Sequence, residues 1–178
     1  IGTITVSMAA NGVYTLAGPG IEKLGAGESA IVTFDVQVID DSASGNATSL
    51  AKTITLTIDG SNDDPVAVVD TGTVAENASV TVDVIDNDTD VDENHTLTLD
   101  SVTAPENKGT VSIVAKELVF EANAHDFDHL ALGVTEDVIV TYTMSDESGT
   151  AQTSTATITV TGTNDLPTPL VDTGAVAE

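Results

Sequence analysis

Three aspartates, Asp88, Asp90 and Asp92, occupy every second position of the segment Asn87-Asp88-Thr89-Asp90-Val91-Asp92. In an extended or looped backbone, that spacing turns several hard carboxylate oxygens toward one cation. Ca2+ suits such a set because it accepts about six to eight oxygens in flexible geometry. Without a cation the three charges repel one another. The segment is not an EF-hand: counted from Asp86, the sixth loop position is Val91 instead of glycine and the twelfth is Leu97 instead of glutamate. No GGxGxD nonapeptide occurs either. The remaining ligands must come from other parts of the chain.

Other chemistry has less to build on. His95, His125 and His129 are the only histidines, and Ser148 and Ser154 lie outside any nucleophile elbow, so nothing couples a base to an activated serine. The expectation is that the chain is not an enzyme. Asp126 and Asp128 flanked by His125 and His129 could hold a transition metal, but an exposed polar turn explains the same residues. The alternation Thr153, Thr155, Thr157, Thr159, Thr161, echoed by Thr53, Thr55 and Thr57, reads as the wet face of a strand and not as an ice- or polysaccharide-binding ladder.

Composition narrows the partners further. With 29 acidic and 4 basic residues the net charge is −25, so nucleic acid and anionic membrane surfaces are very poor partners. The absence of cysteine removes disulfides and thiolate metal sites. Aromatic residues are 3% of the chain and tryptophan is missing, which disfavours a sugar-stacking lectin. No apolar run reaches the roughly 20 residues of a spanning helix, so no membrane insertion is expected here. The chain opens at Ile1 without a basic, apolar leader, and targeting signals are expected outside it.

The elements that must position these acids are strands. Apolar residues alternate strictly in Val80, Val82, Val84; Leu97, Leu99; Val111, Ile113; Leu118, Phe120; Val138, Val140, Tyr142, Met144; and Ala156, Ile158, Val160. Each run presents one apolar face, as a half-buried strand does, and no helical stripe competes. Turn signals at Asp86-Asn87, Pro105-Glu106-Asn107 and Ser148-Gly149 separate the runs. The pattern predicts seven strands, at 71-76, 79-85, 96-102, 109-115, 117-121, 137-144 and 153-161. That is the inventory of an all-β, immunoglobulin-like β-sandwich, with Phe120, Phe127 and Tyr142 as large core residues and no significant helix.

The sandwich repeats. Gly60 to Glu76 (GSNDDPVAVVDTGTVAE) recurs 102 residues later as Gly162 to Glu178 (GTNDLPTPLVDTGAVAE), which is one domain length. Residues 1-60 align with the later part of the module, Leu24 with Leu130, Gly27 with Gly133 and Phe34 with Tyr142, and represent strands D to G of a first repeat. Residues 61-162 form a complete repeat, and 163-178 are a linker and the first strand of a following one, expected to be extended and loosely held. The first repeat carries six extra residues around Asp40 to Ser49, and its core should be open on one side.

Antiparallel alternation then assigns the turns to ends. The B-C turn with Asp88, Asp90 and Asp92 and the F-G turn with Asp146 return to the joint at Asn62-Asp63, and these six residues form the first expected cation site. The E-F turn with Asp126 and Asp128 falls at the opposite end near Asn164-Asp165, where Glu76 at the foot of strand A could join a second, weaker site. At the first joint the matching turn offers only Glu22.

Asn11-Gly12-Val13-Tyr14-Thr15-Leu16, Leu24-Gly25-Ala26-Gly27-Glu28 and Ile58-Asp59-Gly60-Ser61-Asn62-Asp63 resemble the VCBS repeat. Glu76-Asn77 together with Asn87-Asp88-Thr89-Asp90-Val91-Asp92 is similar to the bacterial cadherin-like tandem repeat. The resemblance implies an extender region of a large Gram-negative adhesin of the repeats-in-toxin type, at the bacterial cell surface. It also matches how cadherins share Ca2+ ligands between the base of one domain, the linker and the top of the next. The expected partners are neighbouring repeats of the same chain, with host or biofilm ligands engaged through other regions. The alternative is a module that itself adheres to protein or glycan.

Overall fold

The computed structural model describes residues 4–9, 11–39, 48–167, 169 and 171–174. Its contacts divide the chain into two compact units. The first comprises Ile1–Val66, Thr89–Leu97 and Ser145–Gln152, and the second Ala67–Asp88, Thr98–Met144 and Thr153–Glu178.

The first unit is built on two hairpins. Strand β1 (Thr5–Met8) pairs antiparallel with β2 (Tyr14–Ala17) across a turn at Asn11-Gly12. Gly12 supplies the positive φ of 82° that such a tight turn requires. Strand β3 (Ser29–Val36) pairs antiparallel with β4 (Lys52–Asp59), from Ser29↔Asp59 to Val36↔Lys52. Alternation along β2 and β3 brings the rings of Tyr14 and Phe34 to 5.1 Å between centroids. Among the described residues, Leu24, Ala30 and Pro65 are the buried apolar side chains of this unit. The surplus turn expected around Asp40 to Ser49 lies mostly outside the described residues, although Ile39 and Thr48 form a bridge at its base.

The second unit carries β5 (Asp70–Ala75), β6 (Ser79–Val82), β7 (Thr98–Thr103), β8 (Thr110–Val114), β9 (Glu117–Glu121), the one-turn helix α1 (Ala124–Phe127), β10 (Thr135–Ser145) and β11 (Ala151–Thr161). The ends of β10 and β11, Ser145 and Ala151–Gln152, group with the first unit. One sheet has the order β5-β11-β10-β7 and the other β6-β9-β8. Six successive reversals leave the first and last of seven strands pointing the same way. Accordingly β5 and β11 pair parallel, from Asp70↔Ala156 to Ala75↔Thr161.

The alternating residues read from the sequence fill the space between the sheets. Val138, Val140, Tyr142 and Met144 of β10, Ala156, Ile158 and Val160 of β11, and Leu118 and Phe120 of β9 are all buried. Each large side chain among them contributes about 1.5–3 kcal/mol by leaving water. Gly72 sits where the sheets approach closely: a Cβ there would lie 2.9 Å from Ile158 Cδ1 and 3.0 Å from Val82 Cγ2.

The all-β architecture agrees with the sequence pattern, and the differences from it include two strand ends with a hydrogen-bonding cause and one short helix. The strand expected at 79-85 leaves its ladder after Val82, where the Asp83 carboxylate accepts a hydrogen bond from Ile85 N–H and turns the backbone, yet Val84 remains fully buried. The strand expected from 96 starts at Thr98, because Thr96 N–H is donated to the Glu147 carboxylate. Helix α1 was not anticipated. It inserts Phe127 into the core, edge-on to Phe120 at 6.4 Å.

Candidate metal sites

The first unit gathers five of the six residues expected at the first site. Asp92 is nearly fully buried, and its Oδ2 accepts a 3.0 Å hydrogen bond from Asp63 N–H. Asp90 Oδ1 accepts from Asp92 N–H at 2.9 Å, which folds the Asp90-Val91-Asp92 segment into a tight loop. Asn62 donates its amide to Asp146 Oδ2 at 2.8 Å and to its neighbour's carbonyl, Asp63 O. The other Asp146 oxygen accepts from Ser148 N–H, Ser148 O–H and Thr150 N–H, which shapes the turn between β10 and β11. Burial pushes the Asp146 pKa up, but the hydrogen bonds from Asn62, Ser148 and Thr150 outweigh it and leave the carboxyl below its ordinary range.

Two oxygens in this cluster have no partner. Asp90 Oδ2 and Asp92 Oδ1 are buried and accept no hydrogen bond. A buried carboxylate oxygen without a donor costs free energy, so its presence asks for a group that supplies positive charge. The donor set, all hard oxygen, fits Ca2+. With the side chains as they stand, however, no three Asp, Glu, His or Cys side chains among the described residues form a group that could hold a metal ion.

Neighbouring residues hold the loop in place, and the spacing argument missed them. Glu93 N–H donates to Lys23 O at 2.8 Å, Asn94 donates to Glu28 Oε1 at 3.2 Å, and Glu28 Oε2 accepts from Gly25 N–H. Gly25 lies against Asp92, where a Cβ would come within 3.3 Å of Asp92 Cγ. Glu22 is exposed instead, and the acid in contact with the loop is Glu28.

Asp88 belongs to the second unit and has its own partners there. Its Oδ1 accepts from Val68 N–H at 2.7 Å, and the Tyr142 hydroxyl, which donates to Val68 O, stands 3.4 Å from both of its oxygens. Burial raises its pKa, partly offset by the bonds from Val68 and Tyr142. Beside it lies Asp70, a buried acid the sequence reading passed over. The available signal was register: Asp70 shares the inward side of β5 with Gly72 and Val74.

The residues of the second expected site all fall in the second unit. Glu76 is almost completely buried; its Oε1 accepts from Thr163 N–H and, at 2.8 Å, from Thr163 O–H, while Oε2 is buried without a partner. The start of segment 163-178 is therefore tied down and not loose. Asp165 feels Glu76 and Asp128: desolvation first, then those two charges, hold its carboxyl above the ordinary range. Asp126 Oδ2 accepts from Gly109 N–H at 2.9 Å, and Asn164 donates to Asp165 O, as Asn62 does to Asp63 O. Glu76 and Asp128 thus act on Asp165, whereas Asp126 serves the β7–β8 turn.

Residues 62–162 match the family model of the bacterial cadherin-like domain. The chain belongs to that family. Cadherin-like domains are in general extracellular, adhesion-related modules that bind Ca2+ and are typically not enzymes. Among solved structures, Drosophila N-cadherin EC1-4 is similar at 17% identity and a TM-score of 0.51, over 88% of this chain and 39% of that one. Protocadherin Gamma B7 extracellular cadherin domains 1-4 follow at 16% identity and 0.46, over 92% and 40%. A nucleoside hydrolase-related hypothetical protein from Saccharophagus degradans matches 57% of this chain and 26% of its own at 17% identity and 0.38, too low to carry an argument. The chain therefore spans well under half of each of these neighbours, and the likeness is one of fold. No curated protein matches the sequence closely enough to count as a relative. Among the described residues, no helix of this cadherin-like chain is long and apolar enough to cross a membrane.

Proposed function

We propose that this cadherin-like chain is a calcium-stiffened extender of a bacterial surface adhesin, of the repeats-in-toxin type, supporting cell adhesion or biofilm formation. In this reading residues 1-60, 61-162 and 163-178 belong to successive repeats, joined at Asn62-Asp63 and Asn164-Asp165. The observation that carries it is the pair of buried, unpartnered oxygens, Asp90 Oδ2 and Asp92 Oδ1, in the loop whose Asp92 already grips Asp63 N–H.

Asp90, Asp92, Asp63, Asn62 and Asp146 would hold the ion. Bound Ca2+ would supply the positive charge that a chain with only four basic residues lacks. The protein's own residues do the positioning: Asn62 ties the joint to the turn at Asp146, Gly25 backs Asp92, and Glu28 and Lys23 O hold the loop. Pro65 and Pro167 fix φ just after each joint and limit the bending left to the backbone. Glu76, Asp128 and Asp165 form the weaker counterpart.

Calcium titration by calorimetry on the whole chain, paired with small-angle scattering before and after chelation, tests the reading. Saturable binding with a longer maximum dimension in calcium is expected. Equal dimensions in both conditions would refute the stiffening role.

A further inference from the structure

The surroundings of Asp70, in the second unit, differ in composition from the acidic turns. Asp70 and Asp88 are 9% and 8% exposed, Tyr142 is fully buried, and all three belong to the second unit. Asp70 opens β5 on the register that Gly72 and Val74 direct into the core, so its carboxylate faces inward. Its Oδ2 is buried and accepts no hydrogen bond. Asp88 is satisfied by Val68 N–H, and the Tyr142 hydroxyl is committed to Val68 O at 2.7 Å. The amide of Asn87 donates to Val69 O at 3.3 Å.

No base balances these acids. Among the described residues the only lysine–carboxylate bridge is Lys108 with Glu136. Asp83 adds further negative charge to the neighbourhood of Asp70. A proton shared between the two carboxyls would draw them into a direct hydrogen bond. None joins them: the Asp88 oxygens face Val68 N–H and Tyr142 O–H, and Asp70, which Tyr142 and Asn87 also reach, keeps its Oδ2 without a donor. Oxygen predominates around the two carboxylates, in the Tyr142 phenol and the Val68 carbonyl that it binds, alongside the Val68 N–H and Asn87 amide donors. That is the ligand chemistry of a hard cation. Val68, Val69 and Asn87 beside the carboxylates are exposed.

We propose that Asp70, Asp88 and the Tyr142 hydroxyl form a cation site of the Ca2+ class inside the second unit, separate from the site at Asn62-Asp63. The ion neutralises two buried carboxylates at once and locks the start of β5 to the end of the segment that follows β6. This site does not depend on the joint: either can exist without the other.

Tyr142 makes the site directly observable. The chain has two tyrosines, Tyr14 and Tyr142, and no tryptophan. Terbium, a luminescent substitute for Ca2+, emits strongly when a tyrosine within contact range is excited. In a Tb3+ titration of the intact chain, tyrosine-sensitised emission is expected, competed away by Ca2+. Tyr142→Phe should abolish it, and Asp70→Asn should shift the midpoint to Tb3+ concentrations about tenfold or more higher, the order of loss seen when a metal site is impaired. Asp92→Asn, which acts on the joint, should leave the emission in place. The proposal is overturned if wild type gives no sensitised emission, if Asp70→Asn titrates like wild type, or if Asp92→Asn removes the signal. Should Asp70→Asn fail to fold, the Tyr142→Phe comparison decides alone: emission surviving that substitution overturns the site.

Discussion

Replacing Asp92 by asparagine separates a cation ligand from a structural acid, because the two roles predict different behaviour with and without calcium. In chelator, the asparagine oxygen can still accept from Asp63 N–H, now at 3.0 Å. Loss of charge assistance costs about 1 kcal/mol, and relief of the charge behind the unpartnered Oδ1 returns a similar amount. The two nearly cancel. Wild type and variant should then melt within about 4 °C of each other, since 1 kcal/mol corresponds to roughly 2–4 °C in a chain of this size. With calcium at about a hundred times the dissociation constant, wild type gains about 2.7 kcal/mol by mass action, or roughly 5–11 °C. A variant bound about a hundredfold more weakly gains only about 0.4 kcal/mol, near 1 °C. Differential scanning calorimetry suits the measurement, since two compact units need not melt in one transition. If Asp92→Asn lowers the melting temperature equally in chelator and in calcium, Asp92 is a structural acid and the reasoning fails.

Three further outcomes follow from the packing. Gly60→Ala places a Cβ 2.3 Å from the carbonyl oxygens of Leu24 and Gly25, and Gly162→Ala places one 2.5 Å from Ala131 O; backbone cannot rotate away as a side chain would. Each should cost about 1–3 kcal/mol in thermal melts, and wild-type stability in either would contradict the geometry. Phe120→Ala empties a fully buried position beside Phe127 and should cost about 3–5 kcal/mol in urea unfolding. The hydrogen bond from Lys108, then the one from His129, lower the Glu136 pKa against the opposing effect of burial, so its contribution is present above the ordinary glutamate range and disappears as pH falls through the folded value. With side chains 38% and 23% exposed, the bridge is worth at most about 1 kcal/mol: wild type and Glu136→Gln should differ by that much near neutral pH and converge in acid.

The strands were legible because a strand buried on one face must alternate, and Val138-Val140-Tyr142-Met144 leaves no other reading. Helix α1 was not, because a four-residue turn has no room for a periodic stripe; its only mark is Phe127, an aromatic in an otherwise polar stretch. The acidic spacing grouped Asp88, Asp90 and Asp92 as one set, and the structure gives Asp88 hydrogen-bond partners of its own. Spacing counts residues, whereas the local backbone decides which way each side chain turns, and Val68 N–H with Tyr142 takes Asp88 into the sandwich. Asp70 stayed hidden inside Asp-Thr-Gly, which reads as turn chemistry although it opens a strand.

One rule sorts all of these acids. A chain with 29 acidic side chains and four lysines cannot neutralise its buried carboxylates with its own bases. Asp146 solves the problem with backbone and hydroxyl donors, which surround one of its oxygens in a tight turn while Asn62 takes the other. Asp70, Glu76, Asp90 and Asp92 are each left with one buried oxygen that no protein donor reaches. Burying such an oxygen is unfavourable unless something outside the chain completes it. The four lie in three places, the loop at Asp90-Asp92, the surroundings of Asp70 and the foot of β5 at Glu76. On the proposed reading, a polypeptide that repeatedly leaves the same deficit would rely on cations from its surroundings as part of its folded state. Its stability and its rigidity should therefore rise and fall together with the calcium around it.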